Sequence, residues 1–583
     1  MGFQRACWVC VTFAVWPLLI ATSACNMFGQ DFYEQNFYLN AQLPWHKVVL
    51  DSKGRLLAWY HPERNLGYDK FLRLDWDFIE HKVPVEAHTG VKVYLTSPAF
   101  DATTLQGTNW QHNPAGTYAH FVDLLVGWYP YSGDEEAIKV VREMLDYQIA
   151  HGTTQVNWKW AGVPFATSCN DDEEYGRCIQ DMPPEFYGGI ETDKAAELGL
   201  GYVLFYELSG ERKYLDAGIK CADVLARYVR PGDATHTPWP FRVDAHDGQV
   251  IAGEEYGGMV VAFVRLFDEL IRLREGDTTA FKRARDIAWR WIVENPMNRL
   301  SAAWGRWSGY YEDVPEDTEN ENDISSIMTC YYILSQNDPS TVDPEWQAHV
   351  GNLIDRSRVL LGRGPFFGAW GIDEQLRRDG GITGAPAINN YLRPNVGTLL
   401  GTVYRGCCSR SGLVSRTALW AAINAMYFER TGDGQALEDA FRSLNYATYF
   451  AGSDGKISCC GTVFDVQYFF CDGYADAGRA FMWALGAVPD FAPKGQDHLL
   501  YSSSVVQKVK YVGSGIEYRT FDKAATEVLR LASEPARILV GELALPRRTD
   551  LNEEGYTVEP LTGGDCVVHV RHLRSNAVRI ELR

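Results

Sequence analysis

Between residues 67 and 490, apolar residues recur at three- and four-residue spacing in blocks that are cut by short turns pairing a glycine with an acid. GWYPYSGDEEAIKVVREML turns at Gly133, LFYELSGERKYLDAGIKCADVL at Gly210, ELIRLREGDTTAFKRARDIAW at Gly276 and AMYFERTGDGQALEDAFRSL at Gly432. Helical spacing sets Leu215, Ile219, Ala222, Leu225 and Val229 on one face, and likewise Leu437, Ala440, Phe441 and Leu444. Glycine supplies the positive φ that ends one helix, and the acid starts the next. The interval between Gly276 and Gly432 is about twice the others, so a further hairpin belongs there; CYYILSQNDPSTVDPEWQAHVGNLIDRSRVLL supplies it, turning at Asp338-Pro339. Joining YDKFLRLDWDFIEHKV to the late segment DGYADAGRAFMWAL makes a sixth. Six hairpins closed on themselves predict a mainly α fold, an (α/α)6 toroid over 67–490. From about His498 the period changes to two, as in AVRIELR, and predicts a small antiparallel β-domain over 491–583.

The first 24 residues read as a signal peptide: Arg5, an apolar stretch from Cys7 to Ile20, then small residues ending at Ala24. Cys25 also suits lipoprotein processing, which would anchor the protein to a membrane. The expected location is therefore periplasmic, extracellular or lipid-anchored at the envelope, with residues 25–66 as an N-terminal extension. No later run approaches the ~20 apolar residues of a membrane helix. A net charge of −20 without a basic run excludes nucleic acid as a partner.

Short hairpin turns leave the connections between hairpins to the opposite rim, where long loops on a rigid scaffold concentrate function. These connectors carry Trp110, Trp158, Trp160, Trp239, Trp304, Trp307 and Trp370, together with paired acids: Glu191 and Asp193, Glu254 and Glu255, Glu312 and Asp313, Asp373 and Glu374. The connector segments FYGGIETDK, GEEYGGM, YYEDVPEDTENEN and AWGIDEQ resemble those of toroidal carbohydrate-active enzymes, and the glycoside hydrolysis this implies needs one protonated and one ionised carboxyl flanking the bond. Asp313 follows the aromatic WSGYYE and is the preferred acid; Glu191, Asp193 and Glu255 also suit helix N-termini. A lyase would instead use a base with a neutralised uronate, for which NWQHNPAG offers His112 and Asn113, HTPWPFR offers His236 and Arg242, and EYGG offers Tyr256. Expected catalytic residues are thus Asp313, Glu191, Glu255 and His112. Expected sugar contacts are Trp110, Asn113, Asp193, His236, Trp239, Tyr256, Trp307, Trp370 and Asp373.

The repeats, with FYGGIETDK, GEEYGGM, YYEDVPEDTENEN and AWGIDEQ on the connectors, resemble the six-hairpin glycosidase superfamily of toroidal carbohydrate-active enzymes. The resemblance implies a glycoside hydrolase acting on an oligo- or polysaccharide, with a polysaccharide lyase as the related alternative. A glycan-binding lipoprotein without catalysis is the reading from another class. Cys169 and Cys178 in SCNDDEEYGRC suit a local disulfide in an exported protein. The vicinal pairs Cys407-Cys408 and Cys459-Cys460 have three readings: bridges to distant cysteines, metal ligands or reactive thiols. Cys330, Cys407 and Cys408 also resemble the cysteines of the β-L-arabinofuranosidases, in which three thiolates and a Glu hold zinc and the second vicinal cysteine attacks the sugar. That Glu stands two residues before the first cysteine, where this chain has Met328. The hydrolase reading otherwise requires no cofactor.

Overall fold

The computed structural model describes residues 49–53, 55–87, 89–97, 99–101, 103–107, 114–166, 188–251, 255–304, 324–361, 414–457 and 467–582. Among these residues helix α1 (Leu66–Asp77) comes first, followed, after the one-turn helix Val93–Thr96, by five antiparallel pairs and a last single helix. The pairs are α2 (Pro114–Ser132) with α3 (Glu135–His151), α4 (Thr192–Ser209) with α5 (Arg212–Tyr228), and α6 (Val261–Leu273) with α7 (Thr278–Glu294). They continue with α8 (Ile324–Leu334) and α9 (Trp346–Leu361), then α10 (Val414–Thr431) and α11 (Gly434–Ala447), and α12 (Ala477–Ala487) closes the series.

Local chemistry makes the corners. Gly133, Gly210, Gly276 and Gly432 all have φ between 71° and 75°, a region that costs glycine nothing. Asp134, Asp277 and Asp433 then accept hydrogen bonds from the N–H groups of Glu136, Ala280 and Gln435, capping α3, α7 and α11. Asp338 does the same for Ser340 at the fifth corner.

The even-numbered helices stand side by side in the order α2, α4, α6, α8, α10, α12, and α12 packs back on α2, so the ring is closed. Odd-numbered helices lie outside it, and α1 packs on α12 as the sixth pair. Sequence pattern explains the two layers. α10 is buried without a break from Val414 to Met426, as a helix covered on all sides must be. α5 buries only a stripe that includes Tyr214, Leu215, Gly218, Cys221, Ala222 and Leu225.

Because α2, α4, α6, α8 and α10 each run into a corner, these five inner helices point the same way, and the connectors gather where they begin. Short strands knit neighbouring connectors there. β3 (Ala99–Asp101) joins β6 (Gln467–Phe469) and β4 (Gly189–Glu191) joins β5 (Arg242–Asp244), while β1 (Val49–Leu50) and β2 (Leu56–Leu57) form a hairpin of their own ahead of α1, all antiparallel.

Beyond them lie β7 (His498–Ser502), β8 (Val506–Val512), β9 (Gly515–Thr520), β10 (Ala525–Leu531), β11 (Pro535–Val540), β12 (Leu543–Ala544), β13 (Gly555–Pro560), β14 (Cys566–His572) and β15 (Ala577–Leu582). They form two sheets, ordered β13-β14-β10-β7 and β12-β11-β15-β9-β8. This β-domain sits on the corner end of the ring. The His498 ring stacks on Tyr131 at 4.0 Å, Gln507 Nε2 donates to the Glu207 carbonyl at 2.8 Å, and Arg272 pairs with Asp522 at 2.9 Å. Among the described residues no helix is long and apolar enough to cross a membrane.

One interior position departs from ordinary packing. Asp75 of α1 is fully buried, and neither carboxyl oxygen meets a hydrogen-bond donor among the described residues. It fits because Gly478 has no side chain: a Cβ there would lie 2.8 Å from Oδ2. Burial, reinforced by the Glu80 carboxyl, pushes Asp75 well above the carboxylate range. A carboxyl whose proton affinity rises on folding contributes stability that is complete below its unfolded pKa of about 3.9 and is lost as pH rises towards the folded value. Asp75→Asn is therefore expected to match the wild type in stability at pH 4. It should gain on the wild type by up to about 1.4 kcal/mol per pH unit above that, read as the pH dependence of the Tm difference.

Candidate functional site

The first three turns of the inner helices carry charges in segments that are otherwise apolar. His120 and Asp123 come from α2, Asp193, Lys194 and Glu197 from α4, Arg265 from α6, Arg416 from α10, and Asp476 and Arg479 from the start of α12. Helical spacing puts Asp193 and Glu197, and likewise Asp476 and Arg479, one turn apart on a shared face. A π-helical turn, Phe470–Asp476, leads into α12; such turns insert an extra residue and recur at functional sites.

These groups form one connected network on the ring wall. His120 Nδ1 lies 3.2 Å from Asp476 Oδ1, and its Nε2 lies 3.8 Å from Glu197 Oε2. Lys194 Nζ lies 2.8 Å from Asp193 Oδ2 and 3.4 Å from Glu197 Oε2, so one ammonium holds two carboxyls. Asp476 also meets both Arg479 and Arg416, the latter at 3.4 Å. Arg479 and Arg265 share Asp123, at 2.9 and 3.3 Å. Burial of ions is tolerated only when they are paired in this way.

The surroundings separate the two carboxyls of α4. Burial is the largest influence on both and favours the neutral form. Asp193 has one cation beside it, Lys194, while Glu197 and Glu191 add repulsion; its pKa rises to about 6. Glu197 is drawn well below the carboxylate range because Lys194, His120 and Arg479 outweigh its burial. Asp476 is lowered in the same way, its burial outweighed by Arg479, His120 and Arg416. The wall thus offers a carboxyl that keeps its proton to near neutrality beside one that does not, the division that acid–base catalysis uses. A histidine held between two carboxylates can also move a proton.

The structure places the sequence-expected residues unevenly. Asp193 belongs to the network. Glu191 does not serve as a free carboxyl: it is the cross-strand partner of Arg242 in β4–β5 and accepts from that guanidinium at 2.8 and 2.9 Å, both side chains buried. Glu255 pairs with Arg230 at 3.1 Å, and exposed His236 hydrogen-bonds Asp233 at 3.1 Å. Trp239 and Tyr256 are core residues, a correction to their expected place on a sugar-binding wall. Trp239 stacks on Phe263 at 3.9 Å and donates to the Leu225 carbonyl, leaving no open face, and Tyr256 packs edge-on against Trp291. Asp313, His112, Trp110, Asn113, Trp307, Trp370, Asp373, Cys407, Cys408, Cys169, Cys178 and Cys25 lie outside the described residues. Cys330 is buried in α8. Among the described residues no three His, Cys, Asp or Glu side chains converge to hold a metal.

Attention to the connectors passed over His120, Lys194, Glu197, Arg416, Asp476 and Arg479. Their signal was present: isolated charges in AHFVDLLVGW, DKAAELGLGYVLF, SRTALWAAINAM and YADAGRAFMWAL sit where a fully covered helix should have none.

No family model and no curated protein matches this chain. Among solved structures, the cellobiose 2-epimerase of Spirochaeta thermophila aligns with a TM-score of 0.44 at 7% identity, over 74% of this chain and 98% of that one. That of Bacillus thermoamylovorans gives 0.43 at 10%, over 72% and 99%. An α-mannanase of Bacteroides thetaiotaomicron gives 0.40 at 9%, over 72% and 97%.

Proposed function

We propose that the chain is a glycoside hydrolase whose reaction takes place inside the ring, beneath the end where the connectors gather. One observation carries this reading: Asp193 and Glu197 stand one turn apart on the same inner helix, with proton affinities pushed in opposite directions. Asp193, protonated to about pH 6, donates to the departing glycosidic oxygen. Glu197, ionised, faces the positive charge that develops on the sugar ring. Lys194 holds both carboxyls in register, a positioning role. The aromatic connectors and the resemblance to six-hairpin glycosidases support a sugar as the substrate.

A second reading has its own support. His120 lies between Asp476 and Glu197 with Arg416 and Arg479 close by, and a histidine base beside guanidinium groups suits proton removal next to a uronate carboxylate. The two readings separate by assay. Both reactions yield a new reducing end; hydrolysis adds water across the bond, whereas β-elimination adds none and leaves a C4–C5 unsaturated product that absorbs in the ultraviolet. Incubation with neutral and uronate polysaccharides should give new reducing ends without that absorbance. Glu197→Gln should lower kcat by about a thousandfold with the helical circular dichroism unchanged. Full activity in Glu197→Gln would end the hydrolase reading, and an unsaturated product would transfer the site to the second.

A further inference from the structure

We infer that the outward face of α7, outside the ring, is a docking groove for an acidic polysaccharide, a sugar chain that carries uronate carboxylates. Where the end of α6 meets α7 lies an open hollow of about 600 Å³. Four cations line it, Arg274, Lys282, Arg283 and Arg290, against one carboxylate, Asp286. In a chain of net charge −20 that local excess reverses the average. At physiological salt, exposed charges more than about 8 Å away are largely screened, so acids elsewhere on the surface do not cancel it.

Helical spacing builds the row. Lys282, Asp286 and Arg290 recur every fourth residue with Arg283 beside them, on the side of α7 turned away from buried Phe281, Ala284, Ala288 and Ile292. Lys282 to Arg290 covers about 12 Å of helix. Much of this charge is uncommitted. Lys282 Nζ is held by Asp286 at 2.7 Å, and Arg283 reaches only the Ala226 carbonyl, at 3.5 Å. Among the described residues the Arg274 and Arg290 side chains make no ion pair. The acids of the nearby corner are engaged elsewhere, Glu275 with Arg212 at 3.0 Å and Asp277 in capping α7.

Arg274 adds an independent sign of use. It ends α6 at φ 59°, the left-handed region, where α4 ends on Gly210 at 75°. That conformation is unfavourable for a residue with a side chain and free for glycine. An arginine kept there points to a role for its guanidinium.

The ligand class follows from the lining. The cations are spread along the groove and do not converge on one point, which suits a polymer of spaced single charges over a compact phosphate. Half-buried Ile271 and Ile287 and the hydroxyls of Thr278 and Thr279 complete the lining and suit the C–H face and hydroxyl edge of a sugar ring. The preference for a glycan over another acidic polymer rests on the sugar-acting reading above.

The test pairs isothermal titration with carbodiimide coupling, which joins a bound uronate carboxylate to the nearest lysine and so locates it by mass mapping. Lys282 marks this groove and Lys194 marks the inner-helix network. In the full chain carrying Glu197→Gln, a galacturonate hexasaccharide should bind and couple at Lys282. Arg283→Glu with Arg290→Glu should weaken binding about tenfold or more and remove that adduct. Arg274→Gly should weaken binding about threefold or more while its Tm stays equal or rises, a combination that a merely structural arginine would not give. Unchanged affinity in either variant, coupling at Lys194 without Lys282, or binding of cellohexaose or hexaglutamate as tight as that of the galacturonate probe would overturn the inference. So would binding to phosphatidylglycerol vesicles alone. Binding is read without turnover, so its failure leaves the hydrolase assay standing, and failed hydrolysis leaves the groove to be judged by these probes.

Discussion

Asp193→Asn is expected to keep the helical fold and to lose about 10²- to 10⁴-fold in kcat, the range a single general acid supplies. Its amide oxygen can still accept from Lys194, which lies 2.8 Å from the native carboxyl, so the buried ammonium keeps a partner. The amide has no proton to give to a leaving oxygen. The pH profile gives the sharper readout. The proposed role uses the protonated form, so kcat should fall as pH rises through about 6, the value to which burial and the neighbouring Glu197 and Glu191 lift this carboxyl. In Asp193→Asn that limb should vanish, leaving a low rate that no longer follows the protonation of residue 193. An unaltered limb in the variant would assign the titration to another group.

Arg530→Met should be the most destabilising single change in the β-domain, at about 3–5 kcal/mol. The side chain is fully buried and uses its whole guanidinium. Nε and Nη2 donate to Asp565 Oδ2 at 3.0 and 2.9 Å, and Nη1 donates to the carbonyls of Pro489, Asp490 and Ala492 at 2.8 to 3.1 Å. Those carbonyls belong to the segment leaving α12, so one residue fastens the ring's exit to strand β10. Methionine would leave Asp565 buried with only the Gly495 N–H, at 2.9 Å, to satisfy it. Arg530→Lys should not rescue, because a single ammonium cannot reproduce a forked donor that serves a carboxylate and three carbonyls. Removing the charge on both sides, as in Arg530→Met with Asp565→Leu, should recover part of the loss. Thermal unfolding and proteolysis at 488–495 check this, and a loss under about 1 kcal/mol in Arg530→Met would contradict it.

The architecture was legible because its rules are local and repeated. Gly–acid corners, 3.6-residue periodicity and equal spacing identified every pair, including α8–α9 from the doubled interval and the α1–α12 pair from the two ends of the helical region. The change to period two at His498 marked the β-strands. The site was less legible, for a physical reason. Sequence reasoning assigns acids to loops because exposed acids are ordinary there. A ring instead places the early turns of its inner helices against one another, so charges far apart in the chain, such as Arg416 and Asp476 at 3.4 Å, can pair in the interior. Periodicity shows which face of a helix is covered but not which five helices meet at one point. Trp239 fell to the opposite error. An indole on a connector looks available until the connector folds down and seats it on Phe263.

The central claim is that the network around Asp193, Lys194 and Glu197 is where sugar is bound and cleaved. A crystal structure of Glu197→Gln with an uncleaved oligosaccharide tests it most directly. A glycosidic oxygen within hydrogen-bonding distance of the Asp193 carboxyl, with the sugar lying along the starts of the inner helices, is the result expected. Sugar bound elsewhere, with Lys194 still bridging residues 193 and 197 and no ligand atom near them, would contradict the account.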